Sequence, residues 1–83
     1  MTRTKPHVMF YTRRGCHLCE EAKREIESAG ARDRYTFEEI DVDTDAALAA
    51  RYGLEIPVVR INGTTVFKYR LTAREFLRQL RKS

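Results

Sequence analysis

The sequence is poor in the residues that metal centres and disulfide frameworks require. Its 83 residues include two cysteines and two histidines. A structural zinc site takes about four ligands. His17 directly follows Cys16 and His7 belongs to an apolar run, so a closed tetrahedral site is hard to build from this set. Haem attachment would need a histidine right after the second cysteine, and Glu20 stands there. One cysteine pair is also a weak staple for a secreted domain. No metal site and no cofactor are therefore expected.

Long apolar runs are missing too. Val8 to Tyr11 is far below the roughly 20 residues that cross a bilayer, and no membrane association is expected. The N-terminus, Met1 to Pro6, is basic, but no apolar signal core follows it. There is no linker, repeat or low-complexity segment. The chain reads as one domain, residues 1–83, with a limited core, acting as a monomer in the cytoplasm. Charge of one sign is not in large excess: 16 Lys and Arg against 12 Asp and Glu leave a net charge of +4. The basic residues are scattered among acids. Arg78, Arg81 and Lys82 close a helix C-terminus, where cations are favoured anyway. With no nucleic-acid motif in the chain, no nucleic-acid partner is expected.

What is present is a clear succession of elements. His7 to Thr12 is a continuous apolar run, as in a central strand covered on both faces. Thr12 to Gly15 is a short basic turn. Cys16 to Ala29 reads as a helix, with Leu18, Cys19, Ala22 and Ile26 on one face and Gly30 as its stop. Tyr35 to Val42 is a second strand, with Phe37, Ile40 and Val42 as its apolar members. Asp43 or Thr44 is expected to cap a short alanine-rich helix that runs to Tyr52 and ends at Gly53. Val58 to Ile61 and Thr65 to Tyr69 flank Asn62-Gly63, a strong hairpin signal because a type I′ turn needs positive φ at both central residues. Thr72-Ala73-Arg74-Glu75 is a capping box. It opens a helix with Phe76, Leu77 and Leu80 inside. The order β-α-β-α-β-β-α begins with a right-handed parallel crossover and adds an antiparallel hairpin. It predicts an α/β fold, a mixed four-stranded sheet with helices on both faces.

Both cysteines lie in Cys16-His17-Leu18-Cys19, where strand pattern gives way to helix pattern. A thiolate at a helix N-terminus is stabilised by free N–H groups and by the helix dipole. Its lowered pKa leaves more of the attacking form at neutral pH. Cys19 lies one turn deeper, within reach of the first sulfur, so the pair can cycle between dithiol and disulfide. A second signal is Ile56-Pro57-Val58-Val59. Proline normally interrupts a strand; here it opens one. Pro57 is either the plain first residue of an edge strand or the cis-proline of a substrate-pairing loop. X–Pro bonds are cis in a minority of cases.

With both signals in hand, the chain resembles the glutaredoxin-like branch of the thioredoxin superfamily. The matching residues are Phe10-Tyr11-Thr12-Arg13-Arg14-Gly15-Cys16-His17-Leu18-Cys19, Ile40-Asp41-Val42-Asp43, Ile56-Pro57-Val58-Val59 and Ile61-Asn62-Gly63. The likeness covers nearly the whole chain, with a Cys-His-x-Cys motif. It implies a thioredoxin-like fold, Cys16 as attacking thiol, Cys19 as resolving thiol and Pro57 in cis. Arg13 matches a position where glutaredoxins usually carry a lysine that holds a glutathione carboxylate. The chain departs from the family after its last strand. The usual glycine pair and acidic residues are replaced there by Phe67-Lys68-Tyr69-Arg70.

Arg13, Arg14 and a protonated His17 would each favour a thiolate at Cys16. Tyr11, Ile56 and Pro57 complete the candidate substrate-binding set. The function expected is a dithiol–disulfide oxidoreductase. Its partners are a disulfide-containing protein or small thiol, and a thiol reductant or reductase. An iron–sulfur or metal carrier and a redox-inert interaction module are the alternatives.

Overall fold

The computed structural model describes residues 5–83; most of the basic segment read at Met1 to Pro6 lies outside them. Strand β1 (His7–Thr12) leads into helix α1 (His17–Ser28), then strand β2 (Thr36–Asp41), helix α2 (Ala46–Tyr52), strands β3 (Val58–Ile61) and β4 (Thr64–Lys68), and helix α3 (Ala73–Lys82). The sheet runs β2-β1-β3-β4. β1 pairs in parallel with β2, while β3 is antiparallel to both β1 and β4. This is the mixed sheet read from the sequence.

The period of a strand sends alternate side chains to opposite faces, and that divides the core in two. Val8, Phe10, Val59 and Ile61 meet Cys19, Ala22 and Ile26 of α1 and Phe76 and Leu80 of α3. On the other face Tyr11 and Val58 meet Val42 and Tyr52 of α2. Helices therefore cover both faces. β1 is buried on both because it lies inside the sheet, which explains its unbroken apolar run.

The local signals act as expected at several points. Asn62 and Gly63 both take positive φ, 52° and 83°, in the β3–β4 hairpin. The Thr72 hydroxyl accepts the Glu75 amide while the Glu75 carboxylate accepts the Thr72 amide. The Glu25 carboxylate also accepts the Ala73 amide at 2.9 Å, pinning the start of α3 to α1. Gly30 follows α1 with φ 70°.

Several boundaries differ from the sequence reading. Cys16 is the N-cap of α1 and lies outside its first turn. β2 stops at Asp41, and Val42 turns into a short 3₁₀ segment, Val42–Thr44, where its side chain is fully buried. α2 is capped by Asp45, whose carboxylate accepts the Ala47 amide at 2.8 Å. Asp43 is unavailable for that role because its carboxylate is engaged by Arg13. β4 ends at Lys68, and Tyr69 turns to φ 70°. Phe37, read as an apolar strand member, remains 39% exposed because β2 is an edge strand.

Candidate functional site around Cys16 and Cys19

β1 delivers the chain to the turn Arg13-Arg14-Gly15, and Gly15 adopts φ 76° there. The turn is closed by the Cys16 amide, which donates to the Arg13 carbonyl at 3.3 Å. Cys16 then caps α1: the Cys19 amide donates to the Cys16 Sγ at 3.1 Å. One of the free amides at the helix start is thus aimed at sulfur. Such a donor stabilises negative charge on that atom when the pair is reduced.

Cys16 and Cys19 form a disulfide with their Cα atoms 5.2 Å apart. The two sulfurs have different surroundings. Cys16 is partly buried at the edge of the α1/α3 core cluster, whereas Cys19 is 3% exposed within it. The outer sulfur can meet a partner; the inner one is sheltered.

The second segment comes from the loop after α2. The Ile56–Pro57 peptide is cis. Pro57 is fully buried, and Ile56 touches both core clusters, including the one that Cys16 borders. The Pro57 carbonyl accepts the Tyr69 amide at 2.9 Å. Glu55 pairs with Lys68 at 2.9 Å, so the loop is tied to the end of β4 at two successive points. Leu54, at the loop's outer end, is 93% exposed.

The charged candidates separate. Arg13 does not reach outward. Its Nε donates to Asp43 Oδ2 at 2.8 Å, one terminal nitrogen to Asp43 Oδ1 at 3.0 Å and the other to the Gly53 carbonyl at 3.3 Å. Hydrogen bonding to Asp43 pushes the guanidinium above its ordinary range. Arg14 is exposed on the same turn. His17 is 84% exposed and approaches Glu21 at 3.5 Å, one turn along α1. Tyr11 lies on the α2 side of the sheet, stacked on Tyr52 with ring centroids 4.2 Å apart, and so on the face away from Cys19. A crevice beside the disulfide is lined by Arg13, Arg14, Cys16, Cys19, Lys23 and Glu39, among others. Lys23 and Glu39 pair at 2.7 Å.

Sequence reasoning did not find the contacts of Arg13 with Asp43 and Gly53, the Tyr69–Pro57 bond or the Lys23–Glu39 pair. Asp43 was visible as a candidate cap and as the last residue of the Ile40-Asp41-Val42-Asp43 match. Its contact with Arg13 spans thirty residues of chain, and no local pattern announces it.

The glutaredoxin-like domain (DUF836) family matches residues 7–81, which includes every residue of this site. The chain belongs to that family. The glutaredoxin-like protein YDR286C homolog of Dictyostelium discoideum is 35% identical over 71 residues, covering 78% of this chain. The chain spans 66% of that protein's length. Among solved structures, the X-ray structure of protein XcR50 from X. campestris is similar at 30% identity and a TM-score of 0.78, covering 92% of this chain and 97% of that one. Thioredoxin-2 of the malaria parasite, described as a component of its protein secretion machinery, gives a TM-score of 0.76 at 14% identity, covering 100% of this chain and 87% of that one. At that identity the likeness shows the fold alone. This glutaredoxin-like protein therefore has a thioredoxin fold and a CxxC-spaced cysteine pair, a combination that supports a redox-type function.

Proposed function

We propose that this glutaredoxin-like protein is a dithiol–disulfide oxidoreductase, with Cys16 as nucleophile and Cys19 as resolving thiol. The observation that carries the reading is the division of labour in the pair. Cys16 caps α1 with its sulfur at an amide and lies at the surface of the core, while Cys19 is sheltered one turn deeper and within bonding reach.

In the reduced protein the Cys16 thiolate attacks one sulfur of a substrate disulfide. A protein–substrate S–S bond forms, the substrate S–S bond breaks, and the departing thiolate takes a proton. Cys19 loses its proton and attacks the Cys16 sulfur. The mixed disulfide breaks, the second substrate thiol leaves, and the protein is left with the Cys16–Cys19 disulfide. Two electrons have passed to the substrate. A thiol reductant or a dithiol reductase returns them. Ile56, partly buried against the cluster that Cys16 borders, supplies a neighbouring wall for the substrate, and Arg14 adds positive charge on the turn before Cys16.

The substrate is a disulfide-containing protein or a small disulfide. Glutathione is a poor reductant in this reading. Phe67, Lys68, Tyr69 and Arg70 stand where glutaredoxins usually provide glycines and acids, and a close backbone approach by the tripeptide is crowded there. Its ammonium group also meets Arg70 there, where the nearby Glu55 carboxylate is already paired with Lys68.

The test is turnover of 2-hydroxyethyl disulfide and of a reducible protein disulfide by the wild type and by Cys16→Ser. Each is run once with glutathione plus its reductase and once with a thioredoxin-reductase system. Turnover that vanishes in Cys16→Ser is expected, with the thioredoxin-reductase system preferred. Turnover that persists without Cys16 removes the nucleophile assignment. Inactivity with both donors points away from a general oxidoreductase.

A further inference from the structure

A cation beside a reactive thiol is a natural receptor for a carboxylate on an incoming thiol or disulfide. Arg13 has the best chemistry for it. A guanidinium presents N–H donors in a planar fork that matches a carboxylate, and Arg13 lines the crevice that holds Cys16. In this fold three of the five guanidinium donors are already taken by the protein's own groups. Asp43 takes two of its donors, at 2.8 and 3.0 Å, and the Gly53 carbonyl takes a third at 3.3 Å. Asp43 is itself held in place: its amide donates to the Asp41 carboxylate at 2.9 Å. The neighbouring cation Lys23 is likewise paired, with Glu39. Of the cations lining the crevice, Arg14 alone makes no ion pair among the described residues.

We propose that Asp43 is a specificity-determining residue, which closes Arg13 to external carboxylates and so biases Cys16 against small anionic thiols and disulfides. An approaching carboxylate must share one guanidinium with Asp43, against like-charge repulsion, or settle for Arg14 alone. Removing the Asp43 charge opens the fork and removes the repulsion together. The inference rests on the reading of Cys16 as the attacking thiol, and it predicts which partners that thiol refuses.

The test avoids disulfide turnover, so it is independent of the oxidoreductase reading. In reduced full-length protein carrying Cys19→Ser, Cys16 is the single thiol. Its thiolate displaces iodide from iodoacetate, which is anionic, or from iodoacetamide, which is neutral; a C–S bond forms and a C–I bond breaks in each case. The rate ratio of the two reagents reads the receptor. Asp43→Asn and, as a second variant, Asp43→Ser are expected to raise that ratio about fivefold at low salt, the scale of one exposed charge contact. The gain shrinks in about 1 M salt, where the screening length is roughly 3 Å. Adding Arg13→Gln abolishes the gain, whereas adding Arg14→Gln removes the smaller part of it. A thermal melt confirms that each variant is folded. An unchanged ratio in both folded Asp43 variants overturns the proposal. So does a gain that survives Arg13→Gln, or equal losses on removing Arg13 and Arg14, which would report a diffuse field and no receptor. A shifted ratio in a protein that turns over no disulfide leaves the inference standing and removes the oxidoreductase reading. Active turnover with a fixed ratio does the reverse.

Discussion

The Tyr69 amide donates to the Pro57 carbonyl at 2.9 Å, and Tyr69 makes this bond from a left-handed backbone with φ 70°. A bulky residue in that region is a genuine outlier. Tyr69 lies in the segment where glutaredoxins usually carry a glycine pair. The backbone shape that suits glycine is present without the glycine.

That relationship makes Tyr69→Gly a stabilising change. Left-handed backbone costs a side-chain-bearing residue roughly 1–2 kcal/mol. Glycine returns about 0.5–1 kcal/mol of that through its larger entropy loss on folding. The Tyr69 side chain is 47% exposed, so little burial is lost. A net gain of about 0.5–1 kcal/mol is expected, read as a higher urea midpoint at unchanged slope. A lower midpoint would mean that the ring contributes more packing than its exposure indicates.

The two sulfurs should differ in reactivity once reduced. Cys16 sits at the helix cap with an amide on its sulfur, and Cys19 is 3% exposed. Cys16 is expected to label first, since its sulfur is the less buried of the two and carries the amide donor. Cys19→Ser should trap a mixed disulfide on Cys16, visible by mass spectrometry after exposure to a small disulfide, because resolution needs the second thiol. Faster labelling of Cys19 would reverse the assignment. Full turnover by Cys19→Ser would show a monothiol route.

Much of this fold was legible because its signals are local. The Asn62-Gly63 turn, the Thr72–Glu75 capping box and the glycine after α1 each act within a few residues, and each acts as read. The unbroken apolar run of β1 encodes its central place. The placement of Cys16 before Cys19 at a helix start was legible for the same reason. What was not legible depends on long-range partners. Asp43 has the chemistry of a cap and stood with Thr44 as the expected one, but Arg13, thirty residues earlier, takes its carboxylate and Asp45 caps α2. Tyr69 looked like a strand residue by type, yet its conformation is set by the bond to Pro57. Tyr11 is close in sequence to the turn before Cys16, but strand alternation sends it to the α2 face, against Tyr52.

Tyr35 should make stability sensitive to alkali. Its ring packs edge-on against Phe76, with centroids 5.3 Å apart, and burial raises its phenol above the ordinary 10.0, opposed weakly by the Arg32 charge. The raised value means that the folded state holds the proton longer than the unfolded chain does. Below pH about 10 both states are protonated and this stability is fully present. As pH rises above that point the unfolded chain ionises first, so the contribution is lost progressively toward the folded value. Denaturation midpoints of wild type and Tyr35→Phe, compared across pH 8 to about 11, should run parallel at first. They should separate above about 10, with only the wild type losing this contribution. Curves that stay parallel throughout would contradict the assignment.

Gly53→Ala should destabilise the protein, against the usual expectation for such a site. Gly53 ends α2 with φ −56°, and its amide donates to the Ala49 carbonyl at 2.9 Å. Alanine adopts that backbone without strain, and a glycine-to-alanine change at a compatible site normally adds about 0.4–1 kcal/mol through the unfolded chain. Here the space decides otherwise. A Cβ at Gly53 would collide with the Ala49 carbonyl oxygen and lie 3.0 Å from the Arg13 guanidinium. The guanidinium can swing aside, at the cost of its bonds to Gly53 and Asp43. The carbonyl is backbone and moves only if the last turn of α2 moves with it. Overfilling of this kind costs about 1–3 kcal/mol. For a chain this small, each kcal/mol lowers the thermal midpoint by roughly 4–8 °C. In a double-mutant cycle, Arg13→Ala should recover only the minor part of the loss, since the larger clash is with the helix itself. Full recovery would place the conflict at Arg13 alone, and a raised midpoint for Gly53→Ala would show that the end of α2 is free to yield.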